Sequence, residues 1–157
     1  MNIQIEMTDG GVISAELYPE TAPITVENFV KLINENFFDG LVFHRVIEGF
    51  MIQGGGMDAT GKEKRAASIK GEFDANGVKN DLKHTRGVLS MARTMFPNSA
   101  SSQFFIMHRD APHLDGQYAA FGKVTDGMDV VDRIAQCETD FSDRPVRPQV
   151  INSLKLT

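Results

Sequence analysis

The sequence predicts a mainly β fold, a closed antiparallel barrel with a helix over each open end. Seven or eight short runs have the apolar pattern of strands, and only two segments have helical spacing. Strands and helices do not alternate along the chain, so a parallel βαβ sheet is not indicated. Closing the sheet on itself buries all of these runs and leaves no exposed strand edge.

The first forty residues contain a hairpin and a helix. Residues 3–7 alternate apolar and polar side chains, a turn follows at 9–11, and an extended pattern resumes over 12–18, which predicts a β-hairpin. Pro23 can occupy a first helical turn, and apolar residues then recur at helical spacing up to residue 34. This spacing predicts a helix of about three turns.

The middle of the chain is predicted to hold two strands and a long loop. Residues 42–46 and 50–53 have extended patterns with a bend at Gly49, and the triple glycine at 54–56 is expected to stop the second strand at a bend on the barrel rim. The stretch 57–86 is rich in Lys, Gly, Asp and Asn, which indicates a surface loop. A loop of this length in a compact domain has a functional reason or signals a wrong assignment, and the pattern leaves this open.

The last third of the chain is predicted to be β-rich with one more helix. Three strands are predicted over residues 88–92, 103–107 and 119–124. The first two flank a polar bulge at 94–102, which is expected at the surface. An amphipathic helix is predicted over 128–135, and residues 150–156 form a final strand.

Length and composition limit the number of domains, the kinds of binding partner and the cellular compartment that we expect. The 157 residues are expected to form a single domain over 1–157. A formal net charge of −5 disfavours binding to nucleic acid, and no apolar run is long enough for a membrane span. A lone Cys137 and an N-terminus without a secretory pattern predict a cytoplasmic protein. A closed barrel without a large apolar surface helix predicts a monomer.

The most informative segment is FHRVIEGFMIQGGG at residues 43–56. Supporting segments follow in the order VLSMA (88–92), PN (97–98), SQFFI (102–106), LDG (114–116) and FGKV (121–124). In combination they resemble the cyclophilin-type peptidyl-prolyl cis/trans isomerases over essentially the whole chain, and the short cytoplasmic bacterial members above all. The resemblance implies an eight-stranded antiparallel barrel capped by two helices, with 57–86 wrapping its outside. It also implies an enzyme without metal or cofactor that isomerises Xaa-Pro bonds in protein clients and assists their folding.

The chemistry of this reaction points to an arginine. Rotation about an Xaa-Pro bond breaks amide resonance, against a barrier of about 18–20 kcal/mol. In the twisted state the prolyl nitrogen carries a basic lone pair, so a donor aimed at that nitrogen stabilises the transition state selectively. Arg45 is the natural candidate because its planar guanidinium is always charged. By resemblance, Gln53 completes the predicted catalytic pair by hydrogen bonding the substrate near the proline.

The proline ring also needs an apolar socket. By resemblance, Phe50, Met51, Phe105 and Leu114 line that socket, and Phe104 lies beside it as support. Adjacent residues of a strand face opposite sides, so Phe104 is taken as the nearer of the two phenylalanines to the core. The remaining predicted substrate-binding residues are Ala92, Arg93 through its main chain, Gln103, His113 and Tyr118.

Three features depart from the family pattern. His113 stands where the best-known members have a tryptophan that contributes to cyclosporin binding, so weakened affinity for cyclosporin A is expected. Tyr118 stands where many members have a histidine, and its hydroxyl can still donate. The segment 93–97 is one residue longer than the common pattern.

Competing functions remain open at this point. The same pocket could serve a binding module that recognises proline-containing segments as a chaperone or scaffold. Serines at 99, 101 and 102 near His108 suggest a hydrolase, although no nucleophile elbow is present. A metal site is disfavoured because no two of the four histidines are spaced four residues apart on a helix and there is no cysteine pair. The glycines at 54–56 lack the Lys-Ser or Lys-Thr of a phosphate loop.

Overall fold

The computed structural model describes residues 1–157. Its strands are β1 (Asn2–Met7), β2 (Val12–Leu17), β3 (Leu41–Ile47), β4 (Met51–Asp58), β5 (Val88–Met91), β6 (Phe104–Met107), β7 (Ala120–Asp126) and β8 (Ile151–Leu156). Its α-helices are α1 (Pro23–Asn34) and α2 (Met128–Ala135), and two short 3₁₀ turns cover Asp74–Asn76 and Pro112–Leu114. Neither α-helix has the length and apolar character needed to traverse a bilayer.

The eight strands form one antiparallel sheet that nearly closes. Their order is β3-β4-β6-β5-β7-β2-β1-β8. The two outer strands of this order are brought together by an antiparallel bridge between Val42 and Val150 and by the Phe43 amide, which donates to the Gln149 carbonyl at 3.0 Å. The predicted mainly β, eight-stranded barrel with two helices is therefore confirmed.

The prediction that the triple glycine stops β4 is wrong. The strand continues through Gly54–Gly56 to Asp58. A Cβ atom on Gly54 would lie 2.6 Å from the Val42 carbonyl oxygen, and one on Gly56 would lie 2.5 Å from Gln103 Cγ. The glycines thus allow neighbouring chain segments to approach β4 closely, and the left-handed φ of +91° at Gly55 gives the strand a local kink.

Aromatic side chains fill the barrel interior. Phe29 on α1 packs against Phe104 at 5.3 Å and Phe121 at 5.0 Å between ring centroids, which closes one end of the barrel. A second, smaller apolar cluster is separate from this interior. It consists of Met51, Val88, Phe105, Met107, Ala111, Leu114 and Ala120. The alternation of side chains along a strand places this cluster on the outer face of the sheet.

The segment 57–86 is largely irregular, as predicted, and it is tied into the fold. The N-terminus of α1 has no capping side chain of its own. Instead, the buried Glu72 carboxylate accepts hydrogen bonds from Thr25 N at 2.7 Å and Thr25 Oγ1 at 2.8 Å. Asn80 Nδ2 donates to the carbonyls of Glu72 and Ala120, both at 2.9 Å. The segment therefore supplies the helix cap that the helix sequence lacks.

Candidate active site

A single cross-strand row organises the candidate active site. Arg45 on β3 lies opposite Gln53 on β4, which lies opposite Phe105 on β6, which in turn lies opposite Ser90 on β5. Side chains directly opposite each other in antiparallel strands point to the same face. Because Phe105 belongs to the outer apolar cluster, the row faces outward from the barrel.

The row opens onto a cavity of about 170 Å³. The residues that line it are Arg45, Phe50, Met51, Gln53, Ala92, Arg93, Phe105, Leu114 and Tyr118. Met51, Phe105 and Leu114 are all buried, with exposed fractions of 2%, 5% and 7%, so they form a fixed apolar floor. A small apolar ring fits such a site, with polar groups on one side to orient it.

The polar side of the cavity is a short chain of hydrogen bonds. Gln53 Nε2 donates to Gln103 Oε1 at 3.0 Å, which fixes the orientation of the Gln53 amide. Gln53 Oε1 then faces the exposed Arg45, whose Nη1 donates to it over a long 3.4 Å. The guanidinium is thus steered toward the cavity while most of its N–H groups stay free to donate to a ligand.

Aromatic contacts support the cavity walls. The Tyr118 ring meets Phe105 edge-on at 5.8 Å, and the His113 ring stacks on Phe50 at 5.9 Å. Arg93 lies over the rings of both Tyr118 and Phe73, with its guanidinium carbon 4.6 Å and 4.7 Å from their centroids. Arg93 also donates from Nη2 to the Gln117 carbonyl at 2.6 Å. The resemblance implied only a main-chain role at Arg93, whereas the structure shows its side chain bracing one wall.

The structure brings nine of the twelve predicted site residues to this cavity. Gln103 lines an adjoining groove together with Gln53, Ala92 and Arg93. His113 is exposed and stacks on Phe50, but it does not itself line the cavity. Phe104 is fully buried in the barrel interior, so its grouping with the substrate-binding residues is corrected: β6 turns it to the opposite face from Phe105.

Sequence reasoning missed a Ser-His-Asp chain of hydrogen bonds beneath the floor, in which Ser90 and His84 are buried and Asp115 is half-buried. His84 Nε2 lies 2.8 Å from Ser90 Oγ, and His84 Nδ1 lies 3.1 Å from Asp115 Oδ1. The His84 ring also stacks on Phe105 at 6.0 Å. Burial lowers the pKa of His84 despite the opposing effect of Asp115. No local sequence pattern predicts these hydrogen bonds, because Ser90, His84 and Asp115 come from separate parts of the sequence.

The buried chain does not provide a nucleophile. Ser90 is fully buried, and the His84 ring beside it is shielded by Phe105. Ser102, which suggested a hydrolase, is also buried and donates to the Gly55 carbonyl at 2.7 Å. No group of three or more His, Cys, Asp and Glu side chains comes together in a way that could hold a metal ion. The exposed chemistry of the cavity is therefore hydrogen-bond donation beside an apolar floor.

The site thus combines the outward-facing Arg45 with an apolar floor on the outside of an antiparallel barrel. Residues 2–156 match the family described as cyclophilin type peptidyl-prolyl cis-trans isomerase. The chain belongs to this family, and its activity is peptidyl-prolyl cis-trans isomerisation.

Individual relatives agree over nearly the whole chain. A peptidyl-prolyl cis-trans isomerase of Acinetobacter baylyi is 50% identical over 166 aligned residues, which cover 99% of this chain and 86% of the relative. One from Schizosaccharomyces pombe is 44% identical and covers 99% of both chains. A crystal structure of a Cryptosporidium parvum cyclophilin type isomerase, determined in the presence of the dipeptide Ala-Pro, has a TM-score of 0.85 at 29% identity and covers 100% of this chain and 99% of that one.

Proposed function

We propose that Arg45 is the catalytic donor of the isomerase and that the cavity floor holds the prolyl ring. The observation that carries this proposal is the cross-strand row, which sets Arg45 and Gln53 beside the buried Phe105 ring on one outward face. In this proposal the proline ring sits on Phe105 with its nitrogen directed toward the free guanidinium N–H groups of Arg45. Donation to that nitrogen is strongest when the amide is twisted, because only then is the lone pair localised.

Gln53 has two roles in this proposal. Its amide is oriented by Gln103, at 3.0 Å, so its Oε1 guides the guanidinium before substrate arrives. When a peptide occupies the groove, the same amide hydrogen bonds the substrate main chain next to the proline. Orienting a donor in advance reduces the reorganisation needed during the reaction.

The substrates are proline-containing segments of peptides and of protein clients, whose folding the enzyme assists. The Ala-Pro dipeptide named with the Cryptosporidium parvum structure supports this substrate class, since that protein covers the whole of this chain. The groove continues past Gln53 along Ala92, Arg93 and Gln103, which leaves room for residues adjacent to the proline. The floor residues bind the ring, and the main chain at Ala92 and Arg93 holds the residue before it.

Compartment and assembly are proposed from simpler features. We place the protein in the cytoplasm as a monomer that acts as one domain over 1–157, and without nucleic acid or membrane partners. Cys137 is unpaired and half-buried, which suits a reducing compartment. Its thiol pKa is raised by burial, so the thiol stays protonated and unreactive. A net charge of −5 opposes association with phosphate backbones.

The role of Arg45 is tested by cis-to-trans relaxation of a proline peptide. We expect Arg45→Ala to lower kcat/KM about 100-fold, since one selective charged donor contributes about 3 kcal/mol. Arg45→Lys should recover only part of this loss, because an ammonium lacks the rigid fork. Arg65→Ala is the matched control, because Arg65 is an exposed arginine paired only with Glu63. Equal rates for wild type and Arg45→Ala would refute the proposed role.

A further inference from the structure

The turn between β3 and β4 carries Phe50 to the edge of the cavity. Glu48 and Gly49 at its tip are exposed, and Gly49 has a left-handed φ of +81°. The Phe50 amide donates to the Ile47 carbonyl at 3.0 Å. The half-buried Phe50 side chain packs against the outer apolar cluster and His113, but the position of its main chain depends on how this exposed turn is held.

One residue outside the cavity holds this turn from two sides. His108, directly after β6, donates its main-chain N–H to the Phe50 carbonyl at 2.9 Å. Its side-chain Nδ1 accepts a hydrogen bond from the Gly49 N–H at 2.8 Å. The His108 side chain is 2% exposed, so the acceptor at Nδ1 is shielded from water. His108 therefore holds the turn at the Gly49 N–H, before the Phe50 side chain, and at the Phe50 carbonyl, after it.

The tautomer of His108 follows from these contacts. Since Nδ1 accepts from Gly49, the ring proton must be on Nε2. Nε2 lies 3.1 Å from Asp132 Oδ1 on α2, a short electrostatic contact without hydrogen-bond alignment. Asp132 is itself held by Arg86 through two 2.7 Å hydrogen bonds. Arg86 Nη1 also donates to the His108 carbonyl at 3.0 Å, so the histidine is anchored on both its ring and its main chain.

We propose that His108 is a positioning residue of the isomerase, whose Nδ1 fixes the Gly49 amide and thereby sets the Phe50 ring at the edge of the substrate cavity. This inference rests on the proposed function, because it assumes that Phe50 contacts the proline segment. His108 touches neither the cavity nor the proposed substrate, so its effect passes through the turn.

The charges around His108 favour the neutral ring that this role needs. The charged groups that face it are Arg109 on its own segment, Arg86 before β5, Asp132 on α2 and Glu48 on the turn. Burial is the largest influence and Arg109 the next, and together they lower the pKa of His108. A neutral ring can accept at Nδ1, whereas a protonated ring would present a second N–H to the Gly49 amide and break the bond.

Two neutral substitutions separate positioning from simple packing. In His108→Asn the side-chain oxygen takes the place of Nδ1 and can accept from Gly49, whereas His108→Leu keeps apolar bulk without an acceptor. For a proline peptide, we expect His108→Leu to raise KM about five- to tenfold with kcat nearly unchanged, since one hydrogen bond is lost. His108→Asn should stay within about twofold of wild type. Hydrogen exchange at the Gly49 amide, measured by NMR, should be slow in wild type and in His108→Asn and fast in His108→Leu.

The acid limb of the activity profile gives a further readout. In wild type, KM should rise as the pH falls below the usual histidine range, because a protonated His108 cannot accept from Gly49. In His108→Asn, the part of this rise that comes from His108 should be absent. If His108→Leu does not fold, His108→Gln replaces it, because its carbonyl lies at the Nε2 position and cannot reach Gly49.

Equal KM values for the acceptor-retaining and acceptor-lacking variants, or a Gly49 amide that exchanges alike in both, would overturn the inference. A failure of the proposed function gives a different result: the peptide would not bind at the cavity in wild type, and Arg45→Ala would match wild type whatever the His108 variants do.

Discussion

Phe104 and Phe105 are neighbours in β6, and leucine at Phe104 should mainly lower stability whereas leucine at Phe105 should mainly lower activity. Phe104 is fully buried and meets Phe29, Phe38 and Phe43 edge-on, with centroids 5.3, 5.7 and 5.9 Å away. Phe104→Leu keeps most of the apolar volume but removes all three aromatic contacts. Each such contact contributes about 0.5–1.5 kcal/mol beyond burial, so we expect a loss of about 2–3 kcal/mol in the free energy of unfolding.

Phe105→Leu should cost less stability and more activity. Phe105 contacts Tyr118 edge-on and His84 by stacking, and its remaining surface faces the cavity. We expect a loss of about 1 kcal/mol in the free energy of unfolding. We also expect kcat/KM to fall about tenfold, because the proline ring loses its aromatic partner. The Phe104 variant, by contrast, should keep kcat/KM within about threefold of wild type.

Urea unfolding gives the two stability changes, with equal m-values as the check that both variants unfold in the same way. Peptide relaxation at a temperature where each variant is folded gives kcat/KM. If both substitutions lower stability and activity to the same extent, then the assignment of the two rings to opposite faces of β6 is wrong.

Three further predictions concern the glycines, cyclosporin and pH. Gly54→Ala should destabilise the fold strongly, because its Cβ would lie 2.6 Å from the Val42 carbonyl oxygen. In Gly56→Ala the new Cβ meets the movable Gln103 side chain instead, so this variant should mainly lower kcat/KM. Urea unfolding and peptide relaxation assays on both variants check this, and a Gly54→Ala variant as stable as wild type would contradict it. His113→Trp should tighten inhibition by cyclosporin A about tenfold, since an indole adds one donor and apolar area; an unchanged inhibition constant would show that this position does not set the affinity. Burial lowers the pKa values of His44, His84 and His108, so the unfolded state binds more protons as the pH falls below about 6.5. The free energy of unfolding should therefore be highest above that pH and fall below it, by at most about 1.4 kcal/mol per pH unit for each histidine. If the urea concentration at the midpoint of unfolding does not change between pH 7.5 and pH 5, this prediction is wrong.

The elements were largely predictable because their patterns are local. Helix α1 begins at Pro23 and ends at Asn34, as its apolar spacing and its proline indicate. The strands appear within one or two residues of their predicted ends, with β4 as the exception. The predicted end of β4 was wrong because glycine normally weakens a strand. Here glycine is needed because the Val42 carbonyl and the Gln103 side chain lie too close to β4 for a Cβ atom, and no local sequence pattern shows these contacts.

The residues of the candidate site could be predicted where the family resemblance names them. They could not be predicted where a residue's role depends on contacts with residues distant in the sequence. Arg45, Gln53 and Phe105 stand in one row because of strand register, which the sequence alone does not specify. The bracing of Tyr118 by the Arg93 side chain and the anchoring of the turn by His108 depend on distant partners. The family resemblance therefore named the residues proposed to face the substrate but not the residues that hold them in place.

The meeting of β1 with β8 has a consequence for how the chain matures in the cell. Ile3 pairs with Leu156, so β1 cannot complete this pairing until β8 has been synthesised. Thr25 likewise waits for Glu72, which emerges from the ribosome 47 residues later. Closure of the barrel therefore depends on contacts between distant parts of the chain, and it comes after the local hairpins can form.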